Sequence, residues 1–274
     1  MPKAQAVFTG IDVGSLTAKS VLLNNEKIIS YSIIETGDNP KQAGETVFEN
    51  VLNECGYKKE DVRQVVGTGY GRVSLSFADR TITELSCHAT GVHYLNPGIR
   101  TVIDMGGQDS KVITLNGDGT MAQFAMNDKC AAGTGRFLEV MAKALLIDLE
   151  ALGKFSMDSG KPCDINNTCT VFAESEVVSL LAAGEHKADI VAGLHKGIAT
   201  RVGNMVKRLG LRGDFAFVGG VAKNAGLKKA LEEFLKIRFS SVDADPQIIG
   251  ALGAALLARE RYKKMTFEHA PMDV

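Results

Sequence analysis

Apolar and polar residues alternate along this chain with two different periods. Short runs such as AVFTGIDV, SVLL, RTVIDM and KVITL are rich in β-branched residues and predict strands. Elsewhere apolar residues recur every three to four positions and predict helices. One such face comprises Phe137, Val140, Met141, Ala144 and Leu145. In a second helix, the expected packing residues are Val171, Phe172, Val178, Leu180 and Leu181. The pattern therefore predicts a mixed α/β fold.

One of the predicted strand–turn–strand segments occurs twice. The residues from Ile11 to Lys19, IDVGSLTAK, align without a gap with those from Ile103 to Lys111, IDMGGQDSK. Both copies follow apolar residues and continue into another β-rich run, which is typical of a hairpin. Ordinary hairpins with turn-forming Gly and Asp are the simplest alternative. The repetition of Ile, Asp, Gly and Lys in register favours a shared function instead.

The residue types in these hairpins suit a polyphosphate. Glycine at a turn lets backbone amides approach a phosphate closely, and Ser15 and Thr17 add hydroxyl donors. Asp12 and Asp104, near the ends of their strands, are candidates to hold a hydrated Mg²⁺. The hairpins match neither a P-loop nor a dinucleotide-binding βαβ unit. Two such hairpins facing each other would clamp a polyphosphate from two sides.

A third glycine site lies in the segment DFAFVGGVAKNAGLKKALEEFL. The segment predicts a buried strand, a turn at Gly219 and Gly220, and then a helix. The bare diglycine allows close approach of a flat ring or a phosphate, and Asn224 is a candidate donor to that ring. A plain strand-to-helix turn is the alternative.

Composition limits the classes of function. The chain has 274 residues, 45% of them hydrophobic and 23% charged, and a net charge of −1. A charge so close to zero gives no general attraction to nucleic acid or anionic lipid. No run approaches the roughly 20 apolar residues of a spanning helix. Because no signal peptide is visible either, we expect a cytoplasmic protein without nucleic-acid or membrane partners. From about Lys263 onward we expect a frayed helix end and a loose terminus.

Two of the five cysteines precede helix-like runs, Cys130 in KCAAGTGRF and Cys169 in CTVFAESEVVSLL. A helix N-terminus stabilises a thiolate and other anions, and an odd number of cysteines argues against a disulfide framework. A cubane [4Fe–4S] cluster needs four thiolates. One chain offers two in this setting, whereas a two-fold dimer offers four. We therefore predict one cluster shared by a homodimer, with Cys130 and Cys169 from each chain.

The cysteines also admit simpler interpretations. A buried small residue is the common role of an isolated cysteine, and it is our interpretation of Cys55 and Cys87. Cys163 lies six residues before Cys169 and has no helix start of its own. For Cys163 the sequence leaves open a third ligand, a redox partner or a structural thiol. Zinc is disfavoured because the chain contains no C-x-x-C pair.

The order of two phosphate hairpins and a strand–GG–helix segment resembles the actin, sugar-kinase and heat-shock-chaperone ATPase superfamily. The resemblance implies a duplicated actin-like (ribonuclease H-like) α/β fold. Its two domains would be residues 1–100 and 101–274, around a nucleotide cleft, with the last helix able to pack back on the first domain. The first phosphate site would comprise Asp12, Gly14, Ser15, Leu16, Thr17 and Lys19. The second would comprise Asp104, Gly106, Gly107, Gln108 and Asp109, and the adenosine site Gly219, Gly220, Val221 and Asn224.

A closer resemblance rests on NDKCAAGTGRFLEV and CTVFAESEVVSLLAAG together with the two hairpins. These segments are similar to the activators of 2-hydroxyacyl-CoA dehydratases, whose family includes the ATPase subunits of benzoyl-CoA reductases. The resemblance runs from about Val7 to Ala258. It implies a homodimer with one bridging [4Fe–4S] cluster, held by Cys130 and Cys169, that uses ATP to drive one-electron transfer to a partner enzyme. Ferredoxin or flavodoxin would supply the electron.

Hydrolysis and its coupling to the cluster give further expectations. Asp104, Gln108 and Asp109 are the candidates to position water or Mg²⁺, without a division of roles between them. Gly133, Thr134 and Gly135 are candidates to sense the nucleotide while Cys130 holds the cluster. Lys19 and Lys111 are each favoured to face solvent, as lysines usually do.

The resemblance does not name the electron acceptor. A 2-hydroxyacyl-CoA dehydratase, a benzoyl-CoA reductase or a double-cubane cluster protein would each fit. Two rival functions share the expected fold. An amino-sugar kinase would need a catalytic Asp beside a sugar pocket, and an actin-type ATP switch would polymerise. Neither rival requires two cysteines at helix starts.

Overall fold

The computed structural model of the protein describes residues 6–24, 27–165 and 169–268. The chain divides into two compact units, each built on its own sheet. The first unit contains the residues up to Pro97, the segment Gly117–Met121 and the residues from Val242 onward. The second unit contains Gly98–Asn116 and Ala122–Ser241. The range 101–274 anticipated for the second domain is therefore too long, because the chain returns to the first unit after Ser241.

The first unit has a five-stranded sheet in the order β3-β2-β1-β4-β5. Its central strand β1 pairs antiparallel with β2 and parallel with β4. One helix, α1, covers one face, and two more, α2 and α8, lie together on the other. The strands are β1 Val7–Val13, β2 Thr17–Asn24, β3 Lys27–Glu35, β4 Val62–Thr68 and β5 Arg80–Thr81, and the helices are α1 Pro40–Cys55, α2 Glu84–Leu95 and α8 Ile249–Glu268.

Helix α8 packs unusually close to its neighbours because small residues line it. A Cβ on Gly10 of β1 would overlap the carbonyl oxygen of Ala251, and one on Gly253 would overlap the carbonyl oxygen of Cys87 in α2. The glycine- and alanine-rich start of α8 thus lets its backbone touch both the sheet and α2. Helix α8 continues to Glu268, so the segment from Lys263 to Glu268 is helical. The loose terminus expected beyond it lies outside the described residues.

The second unit has a four-stranded sheet in the order β8-β7-β6-β9. Strand β6 pairs antiparallel with β7 and parallel with β9. The long helix α6 packs against α4, α5 and α7, and α3 packs against α5. The strands are β6 Ile99–Met105, β7 Ser110–Leu115, β8 Met121–Asn127 and β9 Asp214–Val218, and the helices are α3 Gly135–Leu145, α4 Leu152–Met157, α5 Thr170–Ala182, α6 Lys187–Leu209 and α7 Ala225–Leu235.

The two sheets repeat the same arrangement of three strands. In each unit an antiparallel hairpin, β1–β2 or β6–β7, is followed later in the chain by a strand that lies parallel to the first strand of the hairpin. That third strand is β4 in the first unit and β9 in the second. The duplication thus extends beyond the hairpins that revealed it in the sequence. None of the helices built by the described residues has the length and apolar character needed to cross a bilayer.

Candidate functional site

The first hairpin closes with a tight turn that has Ser15 and Leu16 at its tip. The amide of Gly14 donates to the carbonyl oxygen of Thr17 at 3.0 Å. Thr36, the residue after β3, stabilises the turn: its hydroxyl donates to the Gly14 carbonyl at 2.8 Å and its amide to the Leu16 carbonyl at 2.9 Å. The backbone of the turn is therefore held in one conformation, and the tip residues are partly exposed.

The second hairpin closes in the same way. The amide of Gly106 donates to the carbonyl oxygen of Asp109 at 3.0 Å, which leaves Gly107 and Gln108 at the tip. The Gln108 side chain is exposed, whereas the strands on either side are buried. The two turns predicted from the sequence repeat are thus also equivalent in backbone geometry.

Each hairpin carries a lysine directly across from its aspartate. Asp12 pairs in register with Lys19, and Asp104 pairs with Lys111. The Lys19 ammonium lies 3.5 Å from Asp12 Oδ2, and the Lys111 ammonium lies 3.4 Å from Asp104 Oδ2 and 2.6 Å from Asp109 Oδ1. The solvent-facing position favoured for both lysines is wrong, since the side chain of Lys111 is only 2% exposed and that of Lys19 only 12%. Cross-strand partners share one face of a sheet, so each lysine follows its aspartate inward.

The two hairpins differ in charge. The first has one buried carboxylate, Asp12, and one ammonium, Lys19. The second has two carboxylates, Asp104 and Asp109, around the single ammonium of Lys111. A buried ammonium between two carboxylates is tolerated because its charge is compensated there. The second hairpin keeps one net negative charge, which suits it to a divalent cation better than the first.

A glycine follows the parallel strand of each unit and lies against the aspartate. Gly69 follows β4 and Gly219 follows β9, with φ of 87° and 85° respectively. A Cβ on Gly69 would overlap Asp12 Oδ1, and one on Gly219 would come within 2.6 Å of Asp104 Oδ1. Only glycine combines this left-handed backbone with so close an approach. Sequence reasoning found Gly219 but missed Gly69, although the same signal, an apolar strand ending in glycine, was present in VVGTG.

The proposed adenosine turn is a short 3-10 helix, Gly220–Lys223, between β9 and α7. Asn224 caps α7, because its Oδ1 accepts from the amide of Leu227 at 2.9 Å. Its Nδ2 lies 3.1 Å from Nε2 of His195 on α6. Both polar groups of the Asn224 side chain therefore make hydrogen bonds within the protein. The sequence analysis considered this side chain only as a donor to a nucleotide.

His195 is a buried, neutral partner of that turn. Since the Oδ1 of Asn224 is used as the helix cap, its Nδ2 must donate to Nε2, and the imidazole proton lies on Nδ1. Nδ1 has no hydrogen-bond partner within the described chain. Burial lowers the pKa of His195 from 6.5 to about 4. The side chain is therefore uncharged at neutral pH, and its protonation would disrupt the contact with Asn224.

Cys130 does not open a helix, contrary to its sequence interpretation. Helix α3 begins at Gly135, with Thr134 as its N-cap residue. The residues from Ala131 to Thr134 form a turn in which the hydroxyl and the amide of Thr134 donate to the Ala131 carbonyl, at 2.6 and 3.0 Å. Because this turn interrupts the helical pattern, Cys130 lies one turn ahead of α3 and is partly buried against the core of the second unit.

The loop that carries Cys130 is bonded directly to the second hairpin. The amide of Gly135 donates to the carbonyl of Gly106 at 2.9 Å, and the next amide along donates equally closely to the carbonyl of Gly107. The hydroxyl of Ser110 donates to the carbonyl of Gly133 at 2.8 Å, in a buried position. The first amides of α3 thus donate to the hairpin. The sequence had suggested that they would face a cluster, and this expectation is wrong. The same contacts connect the hairpin turn to the cysteine loop.

Cys169 is the N-cap residue of α5 and is exposed. The expected packing face of this helix is wrong in part, because Val171, Phe172 and Val178 are 67%, 61% and 53% exposed. The residues that α5 buries are instead Ala173 and Val177. The helix that begins at Cys169 therefore presents apolar side chains outward.

Cys163 and Cys87 lie in surroundings that disfavour a thiolate. Burial, followed by the charges of Glu185 and Asp189, raises the pKa of Cys163, whose Sγ lies 3.9 Å from Glu185 Oε2. Burial raises the pKa of Cys87 to about 12, and this residue is a core thiol as predicted. Cys55 packs partly buried beside the α1 core. Among the described residues, no group of three or more His, Cys, Asp or Glu side chains lies in an arrangement that could bind a metal ion.

Comparison with known proteins identifies the family. Residues 9–258 match the model of the BadF/BadG/BcrA/BcrD ATPase family. The chain is 46% identical to a 2-hydroxyisocaproyl-CoA dehydratase activator of Clostridioides difficile over 93% of its own length and 96% of the relative's. It is 47% identical to the (R)-2-hydroxyglutaryl-CoA dehydratase activating ATPase of Acidaminococcus fermentans, over 94% and 98% of the two chains. The chain therefore belongs to the BadF/BadG/BcrA/BcrD ATPase family.

Solved structures agree with this assignment. The activator of the 2-hydroxyisocaproyl-CoA dehydratase from Clostridium difficile, solved with bound ADPNP, superimposes with a TM-score of 0.91 at 45% identity. The match covers 98% of this chain and 100% of that one. A ROK hexokinase from Thermus thermophilus shares the fold alone, with a TM-score of 0.54 at 16% identity over 93% and 99% of the two chains. The duplicated actin-like fold predicted from the sequence is confirmed.

Replacement of Lys111 by Met is expected to destabilise the second unit strongly. The change leaves Asp104 and Asp109 without their shared countercharge, and breaking a buried ion pair typically costs about 3–5 kcal/mol. Urea denaturation at neutral pH measures the loss. The control is Lys196→Met, whose partner Asp164 and own side chain are both largely exposed, and it should change the free energy of unfolding by less than about 1 kcal/mol. Equal losses in the two variants would contradict the buried role of Lys111.

The stability conferred by a neutral His195 should fall in acid. Its folded pKa of about 4 lies below the ordinary 6.5, so the unfolded chain binds the proton more readily. The advantage of the neutral form is present above pH 6.5 and is lost as pH falls toward 4, by up to about 3 kcal/mol. In His195→Gln this proton uptake is absent. The difference in urea midpoint between wild type and variant should therefore shrink from pH 7.5 to pH 5. A constant difference would show that His195 does not titrate as described.

Proposed function

We propose that this ATPase-family member uses ATP hydrolysis to drive a single low-potential electron from a [4Fe–4S] cluster to a partner iron–sulfur enzyme of the 2-hydroxyacyl-CoA dehydratase type. The cluster would be shared by two copies of the chain. The observation that carries the proposal is the set of hydrogen bonds joining the second hairpin to the Cys130 loop, because it connects the phosphate-binding candidates with a candidate cluster ligand. The dehydratase-activator relatives support the choice of partner.

The two hairpins, β1–β2 and β6–β7, support the proposal of ATP binding. Each turn presents glycine backbone and one polar tip residue, Ser15 or Gln108, beside a buried aspartate, and a relative of the same fold has been solved with bound ADPNP. Asp12 and Asp104 are each proposed to hold Mg²⁺ through water, and the second hairpin, with its two carboxylates, suits the cation better than the first. Gln108, exposed at the tip of that hairpin, is the best placed of the three catalytic candidates to orient the attacking water. Asp109 is paired with Lys111 and would act by holding that lysine.

The cysteine pair fits a thiolate-ligated cluster in donor type and accessibility. Cys169 is exposed, Cys130 is partly exposed, and the helices that follow them, α3 and α5, pack against each other. These residues would hold the cluster, which would supply one electron at low potential. Since a cubane needs four thiolates, two chains must each contribute Cys130 and Cys169. The exposed Val171 and Phe172 beside Cys169 offer an apolar surface for that second chain.

Coupling would follow the bonds from the hairpin to the cysteine loop. A γ-phosphate at Gly106 and Gly107 would shift carbonyls that accept from the start of α3, and Ser110 would transmit the same shift to Gly133. The loop of Cys130 would then respond to nucleotide state, and partner docking would alter nucleotide affinity in return. Ferredoxin or flavodoxin would reload the cluster between turnovers.

Other acceptors remain compatible with the same chemistry. A benzoyl-CoA reductase or a double-cubane cluster protein would receive the electron through the same cysteine pair. An amino-sugar kinase is the more distant alternative, supported only by the fold shared with the ROK hexokinase. That alternative assigns no role to Cys130 or Cys169.

Purification without oxygen should give a brown dimer with about four iron atoms per two chains. Cys130→Ser and Cys169→Ser should each lose the iron and the broad absorption band of a thiolate-ligated cluster at about 400 nm. Both variants should retain ATP binding. Cys55→Ser and Cys163→Ser are the matched controls and should keep both. A colourless, iron-free wild type that still hydrolyses ATP would return the function to the kinase alternative.

Nucleotide state should change the reduction potential of the wild-type dimer, measured with ADP and with a non-hydrolysable ATP analogue. Ser110→Ala removes the hydroxyl that donates to Gly133 and should diminish this difference while leaving ATP binding intact. The first hairpin already carries alanine, Ala18, at the equivalent place, so the change is structurally mild. Ser156→Ala removes a similar bond, to Gly153, away from the hairpin and should keep the full difference. Identical potentials with both nucleotides in the wild type would refute gating.

A further inference from the structure

We propose that Gly69 is a positioning residue of the phosphate site, holding the carboxylate of Asp12 in the orientation that metal-assisted hydrolysis requires. The inference rests on the proposed ATPase function. Gly69 lies between β4 and a short 3-10 turn, Tyr70–Ser74, and neither sequence motifs nor the family resemblance marked it as part of the site.

The contact between Gly69 and Asp12 leaves no space for any other residue. Gly69 has a φ of 87°, and a Cβ there would overlap Asp12 Oδ1 and lie 2.5 Å from the carbonyl oxygen of Val13. The backbone of Gly69 therefore forms a wall against one oxygen of the carboxylate. Any side chain at this position would have to push Asp12 or the end of β1 aside.

Hydrogen bonds and packing fix the turn after Gly69, so that its backbone can restrict the position of the Asp12 carboxylate. Arg72 closes it by donating twice to the Gly69 carbonyl, from its amide at 3.3 Å and from Nη1 at 2.9 Å. Gly71 lies against the side chain of Val13, and Leu75 enters the core of the first unit. Only Tyr70 and Val73 project outward, 78% and 84% exposed. The turn is thus fixed to β1 on its inner side.

The other oxygen of Asp12 is contacted from a different direction. Lys19 lies 3.5 Å from Oδ2, and a Cβ on Gly250, near the start of α8, would come within 2.8 Å of it. The first carboxylate oxygen thus faces Gly69, and the second faces Lys19 and α8. Rotation of the carboxylate is blocked on both sides.

The second unit repeats this arrangement independently. Gly219 faces Asp104 Oδ1, and Lys111 faces Asp104 Oδ2. The same three residue types, in the same topological places and touching the same carboxylate oxygens, occur in both halves of the duplicated fold. Since Gly219 was already a candidate nucleotide-binding residue, its counterpart Gly69 is a candidate for the same site. A displacement of about 1 Å in a group that positions reacting atoms lowers a rate by roughly 100-fold.

The test compares alanine substitutions at two glycines of the first unit that both have a positive φ. Gly69→Ala is expected to lower kcat for ATP hydrolysis by about 10- to 100-fold. It should also abolish the Mg²⁺-dependent increase in affinity for a non-hydrolysable ATP analogue, measured by calorimetry with and without Mg²⁺. Gly56→Ala, directly after α1, is the matched control. Gly56 also has a positive φ, of 71°, but a Cβ there would meet nothing within 4 Å, so kcat and the Mg²⁺ effect should stay within about threefold of wild type.

A second variant covers the case in which Gly69→Ala does not fold. Arg72→Met keeps the glycine but removes the Nη1 donation that holds its carbonyl, and should reduce the Mg²⁺ effect on analogue affinity by at least about threefold. If wild type neither binds nor hydrolyses ATP, the proposed function fails and this inference fails with it. If wild type is active and Gly69→Ala and Arg72→Met both match Gly56→Ala in the two measurements, the positioning role alone is overturned.

Discussion

The structure around both hairpins depends on one constraint, a buried aspartate whose two carboxylate oxygens must be accommodated in the protein interior. A buried carboxylate is costly unless a countercharge and close polar contacts compensate it. In the first unit Lys19 supplies the charge for Asp12, and in the second Lys111 supplies it for Asp104. The strand pairing that brings each lysine across from its aspartate is therefore as necessary to the site as the aspartate itself. Glycine at the end of the parallel strand completes the enclosure.

The hairpins, the duplication and the strand–glycine–helix segment followed from the sequence because each is specified by local patterns. The buried positions of Lys19 and Lys111 were not predicted, although the sequence contains the strand register that determines them. Once Gly14 and Thr17 close the turn, counting two residues back along each strand pairs Asp12 with Lys19. The general tendency of lysine to be exposed was given more weight than this register. At a duplicated, charged hairpin the register is the stronger argument, because cross-strand partners necessarily share a face.

Other features could not be obtained from periodicity. Apolar spacing after Cys169 identified a helix, but an apolar face that is exposed in the isolated chain has the same sequence pattern as one that is buried. The start of α3 was misplaced by a comparable ambiguity. Cys130 and Thr134 both precede a helical run, and only the tertiary bonds from Gly135 to the second hairpin decide that the helix begins at the later residue. Long-range contacts of this kind are not encoded by the local pattern.

The two hairpins of the duplicated fold differ in sequence, and these differences give the second hairpin contacts that the first does not make. Where the first hairpin has Thr17 and Ala18, the second has Asp109 and Ser110. The aspartate adds a second carboxylate around Lys111, and the serine adds the hydroxyl that reaches Gly133. The first hairpin lacks both groups at these positions, so it cannot make either contact. The aspartate thus makes the second hairpin more acidic, and the serine adds a side-chain bond to the two backbone bonds that join this hairpin to the cysteine loop. Within the second unit, the backbone just after Cys130 is thus hydrogen-bonded to the turn of that hairpin, which is the physical contact that the proposed coupling requires.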